Sequence, residues 1–115
     1  MIGPTTGNDT GPYTLSFGHF DIEPRQRRLR RDGAIVPIGA RAFDLLHLLA
    51  EAPGQVLDHR YLMDRAWAGS VVGEANLRVQ IAALRRALDV SGGERYILNV
   101  PGRGYLLVPP VVRRW

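Results

Sequence analysis

At 115 residues and 45% hydrophobic content, the chain is sized for one compact domain that buries its core without covalent staples. It has no cysteine, which excludes disulfides and thiolate metal sites, and no apolar run of membrane-spanning length. The net charge is +4 and the fifteen basic residues are all arginine, a balance that favours an anionic partner. A GC-rich genome would also displace lysine codons, so the charge argues for that partner more than the missing lysine does.

Residues Met1 to Pro12 are rich in Gly, Thr and Pro and lack the apolar core of a signal peptide, so they read as a flexible tail. Leu15 and Phe17 alternate, then Phe20 and Ile22 alternate on a shifted phase, with Gly18-His19 supplying the extra residue of a bulge. A strand from Arg27 to Arg31 turns at Asp32-Gly33 and returns as Ala34 to Ile38. The cluster Arg25, Arg27, Arg28, Arg30 and Arg31 reads as the solvated charge of an edge strand. A helix follows from Ala40 to Ala52, with Ala42, Leu45, Leu46 and Leu49 on one face and Phe43 beside it; Pro53-Gly54 ends it. Val56-Leu57 is a short extended link. Asp58 caps a second helix, His59 to Trp67, with Leu62, Met63 and Ala66 inward.

After a loop from Ala68 to Gly73, the third helix runs from Glu74 to Asp89. Spacings of four, three and four put Leu77, Ile81, Leu84 and Leu88 in one buried stripe. Asn76, Val79, Ala82, Ala83 and Arg86 lie opposite it, with Gln80 and Ala87 on one shoulder and Arg78 and Arg85 on the other. No acid occurs from Ala75 to Leu88, whereas an ordinary solvated helix face carries Glu beside its Arg. Such a face, small and polar and bounded by arginines, suits a major groove. Ser91-Gly92-Gly93 breaks the helix, and strands Tyr96 to Val100 and Tyr105 to Val108 flank a Pro-Gly-Arg-Gly turn. Gly102 and Gly104 leave Arg103 on an uncrowded tip, placed for a minor groove or a phosphate. Sheet, three helices and hairpin make an α+β winged helix-turn-helix. The expected boundaries are a tail over 1–12, the domain over 13–110, and a tail or linker over 111–115.

Chemistry of other kinds finds little to stand on. His19, His47 and His59 lie in different elements without metal-ligand spacing, and Ser16, Ser70 and Ser91 have no nucleophile elbow around them. The expectation is no enzyme, no cofactor and no metal.

Between about Ser16 and Pro109 the chain resembles the winged-helix domain of OmpR/PhoB-type transcription regulators. The landmarks are Arg41-Ala42-Phe43-Asp44-Leu45-Leu46, Pro53-Gly54-Gln55-Val56-Leu57, Leu62 with Ala66-Trp67, Val79-x-Ile81-x-x-Leu84-Arg85-Arg86-x-Leu88, and Gly102-x-Gly104-Tyr105. The resemblance implies a four-stranded N-terminal sheet over 16–38, a third helix that reads the major groove and a hairpin wing at the minor groove. It implies phosphate contacts by His59 and Trp67, and recognition-helix contacts by Asn76, Val79, Gln80 and Arg86; the residues themselves add Arg60 at the start of the second helix and Arg78 and Ala83 on the third as expected DNA contacts. Arg103 takes the wing contact, Tyr105 supports the wing and meets the backbone, and Arg85 ties the helix to neighbouring acids. The loop 68–73 corresponds to a segment that touches RNA polymerase. Members of this type often carry basic residues where Ala82 and Ala83 stand, and an arginine where Pro101 stands. The pattern is similar to regulators in which this domain leads a large sensory or NTPase region, and no receiver domain precedes it in this sequence. The resemblance implies a cytoplasmic domain without membrane contact, monomeric alone and dimeric or tandem on double-stranded DNA. A winged helix that docks a protein instead of DNA is the alternative, favoured by Ala82 and Ala83.

Overall fold

The computed structural model describes residues 13–88 and 96–115; the tail over 1–12, Asp89 and the glycine breaker at 91–93 lie outside the described residues. Apolar alternation sets the first two strands, β1 (Thr14–Phe17) and β2 (Phe20–Glu23), whose buried positions alternate in opposite phase. Gly18-His19 is the two-residue turn between them, with Phe17 paired to Phe20, and not a bulge. The chain reverses there, and that reversal is what shifts the phase. Gly18 takes φ +55, and a Cβ on it would lie 2.6 Å from the Tyr96 hydroxyl.

Strands β3 (Arg28–Arg31) and β4 (Ala34–Val36) meet at Asp32-Gly33, where both residues take positive φ as a type I′ turn demands. Pairing with β2 on its other side makes β3 an interior strand, because the sheet order is β4-β3-β2-β1-β7. The edge-strand expectation for the arginine cluster is therefore corrected. Arg28 and Arg30 lie one pleat apart and both donate to Glu23, at 2.9 and 3.1 Å. Arg27 instead reaches α1 (Ala40–Glu51), donating to Asp44 at 2.7 Å with its guanidinium 5.3 Å from the centre of the Phe43 ring. Three of the five arginines are thus drawn to acids across the sheet or on α1, which periodicity could not reveal.

Burial pushes the Glu23 carboxyl upward, but the hydrogen bonds and charge of Arg28 and Arg30 outweigh it and hold the group below its ordinary 4.5. A depressed folded-state pKa contributes stability that is present above the unfolded value and lost as pH falls through the folded one. Glu23→Gln is expected to cost roughly 1 kcal/mol near neutrality, and the difference from the parent should vanish in urea titrations repeated well below pH 4.5. A deficit that persists unchanged in acid would mean that packing, not charge, holds Glu23.

The fifth strand, β7 (Val112–Arg114), pairs antiparallel with β1 through Thr14↔Arg114, Leu15↔Arg113 and Ser16↔Val112. This corrects both the four-stranded sheet and the tail assigned to 111–115. All three β7 residues are exposed, so no hydrophobic alternation marks the strand. Polar contacts hold it. Arg113 pairs with Glu51 and its guanidinium lies 4.3 Å from the Tyr13 ring centre and 5.6 Å from that of Trp115. Arg114 donates to Ser16 at 2.6 Å and to Asp21 at 3.2 Å.

The inner sheet face, with Leu15, Phe17, Phe20, Ile22 and Leu29, closes one side of a core completed by the helices. α1 buries Ala42, Phe43, Leu45, Leu46, Leu49 and Ala50, the expected stripe with one residue added. α2 (His59–Ala66) begins at Asp58, whose carboxylate accepts from the Tyr61 amide at 2.7 Å, and ends with Trp67 as C-cap. α3 (Glu74–Leu88) buries Leu77, Ile81, Leu84 and Leu88, as its spacing requires. The link between α1 and α2 joins the hairpin of β5 (Ile97–Val100) and β6 (Gly104–Leu107): Leu57 and Tyr105 exchange backbone bonds of 2.8 and 3.1 Å, and the Gly54 amide donates to Leu107 at 2.9 Å. The hairpin is thereby fixed to the helices.

Candidate nucleic-acid interface

With its apolar stripe committed to the core, α3 leaves Ala75, Asn76, Arg78, Val79, Ala82, Arg85 and Arg86 exposed. Gln80, Ala83 and Ala87 are half-buried at the margin of this face. Val79, an exposed apolar residue at 61% accessibility, stands where a solvated helix would place a polar side chain. The outer surface is low, neutral at its centre and positive at its border, a shape that admits close approach to base edges.

The hairpin tip is set by backbone chemistry. The Arg103 amide donates to Val100 at 2.9 Å, and Gly102 takes φ +75 with no atom near the position of a Cβ. Arg103 is exposed on that turn. Gly104 has a different reason to be glycine, because its α-carbon lies against the backbone of Leu57 and Asp58. The neighbouring glycines therefore free the tip on one side and anchor the hairpin on the other.

Tyr105 is buried to 6% exposure. Its ring lies 5.5 Å from the His59 ring, and the Arg85 guanidinium lies 5.8 Å from its centre. Arg85 also donates to the Ile97 carbonyl at 3.1 Å. Arg85 is structural, as expected, but among the described residues it ties α3 to a strand carbonyl and an aromatic face and not to acids. Tyr105 is the platform from which His59 and Arg85 project.

His59, Arg78 and Tyr105 meet around a notch of about 200 Å³, completed by Glu74, Leu77, Asn99, Pro101 and Gly102. The notch lies where the first turns of α2 and α3 face the hairpin. Arg60 is exposed beside it in sequence. Trp67 is half-buried against the core at the opposite end of α2, roughly 12 Å away along an eight-residue helix, so it does not share a site with His59. Asn76, Val79, Gln80, Ala83 and Arg86 run along α3, and Arg103 stands at the tip. Glu74 and Asn99 were not anticipated. Glu74 could have been found as the sole acid of α3; Asn99 lies on an exposed strand position that no motif distinguishes. Among the described residues there is no cluster of metal ligands, no buried unpartnered polar side chain and no helix long and apolar enough to cross a membrane.

Comparison with known proteins agrees with this architecture. Residues 33–107 match the family described as "Transcriptional regulatory protein, C terminal". The transcriptional regulatory protein PrrA of Mycobacterium tuberculosis is 35% identical over 95 residues, 82% of this chain and 41% of PrrA. The transcriptional activator CadC of Escherichia coli is 32% identical over 100 residues, 85% of this chain and 20% of CadC. The chain thus spans less than half the length of these relatives. The solved DNA-binding domain of E. coli CadC superposes with a TM-score of 0.79 at 31% identity, covering 86% of this chain and 94% of that one. The DNA-binding domain of Klebsiella pneumoniae RstA, solved in complex with its RstA box, gives 0.70 at 31% identity, covering 83% and 96%. This winged helix with its N-terminal sheet belongs to the family of transcriptional regulatory protein C-terminal domains.

Proposed function

We propose that the domain binds double-stranded DNA sequence-specifically as the reading unit of a transcription regulator, with α3 in the major groove and the β5–β6 hairpin at the minor groove. The acid-free outer face of α3, set beside an arginine-tipped hairpin, carries this proposal. Asn76 and Gln80 supply amides for adenine edges, and Val79 and Ala83 supply apolar contact for thymine methyls. His59, Arg60, Arg78 and Arg86 face phosphates, Arg103 reaches the minor groove, and Tyr105 braces His59. Trp67, half-buried, offers its indole N–H to the backbone near the far end of α2. The loop 68–73, with Val71 fully exposed, is assigned to RNA polymerase. The domain works in the cytoplasm, where DNA is found, and binds as a dimer or tandem pair.

Neutralising about four phosphates gives a log–log salt slope of roughly −3.6, so that affinity falls about 150-fold between 50 and 200 mM salt. Fluorescence anisotropy with selected and random duplexes measures this. Gln80→Ala is expected to cost about 1–3 kcal/mol at one base pair of the selected site and little on random duplex. A slope near zero on every duplex would discard DNA binding in favour of a protein-docking module, for which the neutral Ala82 and Ala83 and the exposed Val79 would then form the surface.

A further inference from the structure

Glu74 is out of place on a surface that meets phosphates. It is the first residue of α3, and its carboxylate lies in the notch formed with α2 and the hairpin. One oxygen is 3.7 Å from His59 Nδ1 and the other 3.8 Å from an Arg78 guanidinium nitrogen. Both distances exceed hydrogen-bond length, and Glu74 and Arg78 are 56% and 64% exposed. The carboxylate is thus held by loose, solvated ion pairs that cost little to break. Its partners are two of the groups assigned to the DNA backbone, and they project from two different helices. Asn99 also lines the notch, and its side-chain amide is a further donor there.

We propose that Glu74 is an internal competitor for a backbone phosphate: its carboxylate occupies the phosphate position between His59 and Arg78 in the free domain and swings out when DNA arrives. This rests on the DNA-binding reading above. The acid keeps His59 and Arg78 gathered while the domain is free, and it lowers the affinity for every duplex regardless of sequence. It sets how tightly the backbone is held, while the outer face of α3 sets which sequence is read.

Anisotropy titrations of the parent, Glu74→Gln and Asp32→Asn test this, using one selected and one random duplex across a salt series. Asp32→Asn makes the same charge change at the β3–β4 turn, among the sheet strands. Removing one repulsive charge about 5 Å from a phosphate is expected to raise affinity about fourfold on both duplexes. Glu74→Ala should act in the same direction, and the urea midpoints of the variants should match the parent. Unchanged affinity in Glu74→Gln overturns the proposal, as does an equal rise in Asp32→Asn, which would reduce the effect to net charge. A loss confined to duplexes with one C·G pair also overturns it, since Glu74 would then read a base. If the parent binds neither duplex, the DNA-binding reading itself fails; if the parent binds with the expected slope and the variant does not differ, only the competitor role fails.

Discussion

Replacing Gly104 with alanine is expected to destabilise the domain by about 3 kcal/mol or more, the range of overpacking against immovable backbone. A Cβ built on Gly104 would fall within the shell of the Leu57 carbonyl oxygen and 2.8 Å from the Asp58 α-carbon, and its φ of +156 lies at the margin of what an L side chain adopts. Neither neighbour is a flexible side-chain end that could swing aside. Relief requires the hairpin to lift away from the α1–α2 link, which breaks the paired bonds between Leu57 and Tyr105. Tyr105 then no longer supports His59 and Arg85, so DNA affinity falls together with stability. Gly102→Ala is the matched comparison, because Gly102 also has positive φ but meets nothing within 4 Å; it should cost only about 1 kcal/mol. Urea denaturation of the two variants measures the difference, and equal costs would show that the close approach at Gly104 has no energetic consequence.

Leu84→Ala is expected to cost 2–5 kcal/mol, about the span for removing a buried leucine and leaving a cavity. Leu84 is fully buried in the α3 stripe, where α1 packs on α3 and fixes the direction of the outer face. Against a total stability of about 5–15 kcal/mol for a domain of this size, such a loss removes a large part of the margin. Calorimetric or optical melting should show a lowered midpoint. Anisotropy at a temperature where the variant is still folded should show a smaller change in DNA affinity, because the side chains of the outer face are untouched. A stability loss below about 1 kcal/mol would mean that the site collapses around the smaller residue.

The helices were legible in the sequence because each declares itself twice. Leu77, Ile81, Leu84 and Leu88 repeat at helical spacing while Asn76, Val79 and Arg86 stand opposite, and all four apolar residues are buried. Asp58 and Gly54 marked a start and a stop, and the structure gives the first a cap hydrogen bond and the second a positive φ. Asp32-Gly33 announced its turn for the same reason. Strand β7 was not legible. Its residues bury no alternating face, and what holds it is an edge supplied by β1 and ion pairs to Glu51 and Asp21, none of which is near in sequence. The arginine cluster misled for a related reason: a local pattern shows charge but not the acids that a sheet places across from it. Gly18-His19 shows the limit of phase counting, since a bulge and a tight turn both insert an offset. The proposed interface can be named from the sequence as a set of residues, but that His59, Arg78 and Asn99 line one notch depends on how the hairpin returns to the helices.

Strand β7 also brings Tyr13 and Trp115 together. The Tyr13 and Trp115 rings are 5.5 Å apart, with Arg113 packed between the start of β1 and the end of β7. The fold is therefore topologically close to a circle. A short peptide could join the ends, and new termini could be opened at the exposed Asp32-Gly33 turn without cutting a helix. Both ends would also sit side by side if the domain were spliced into a surface loop of another protein, so that it hangs from one narrow attachment.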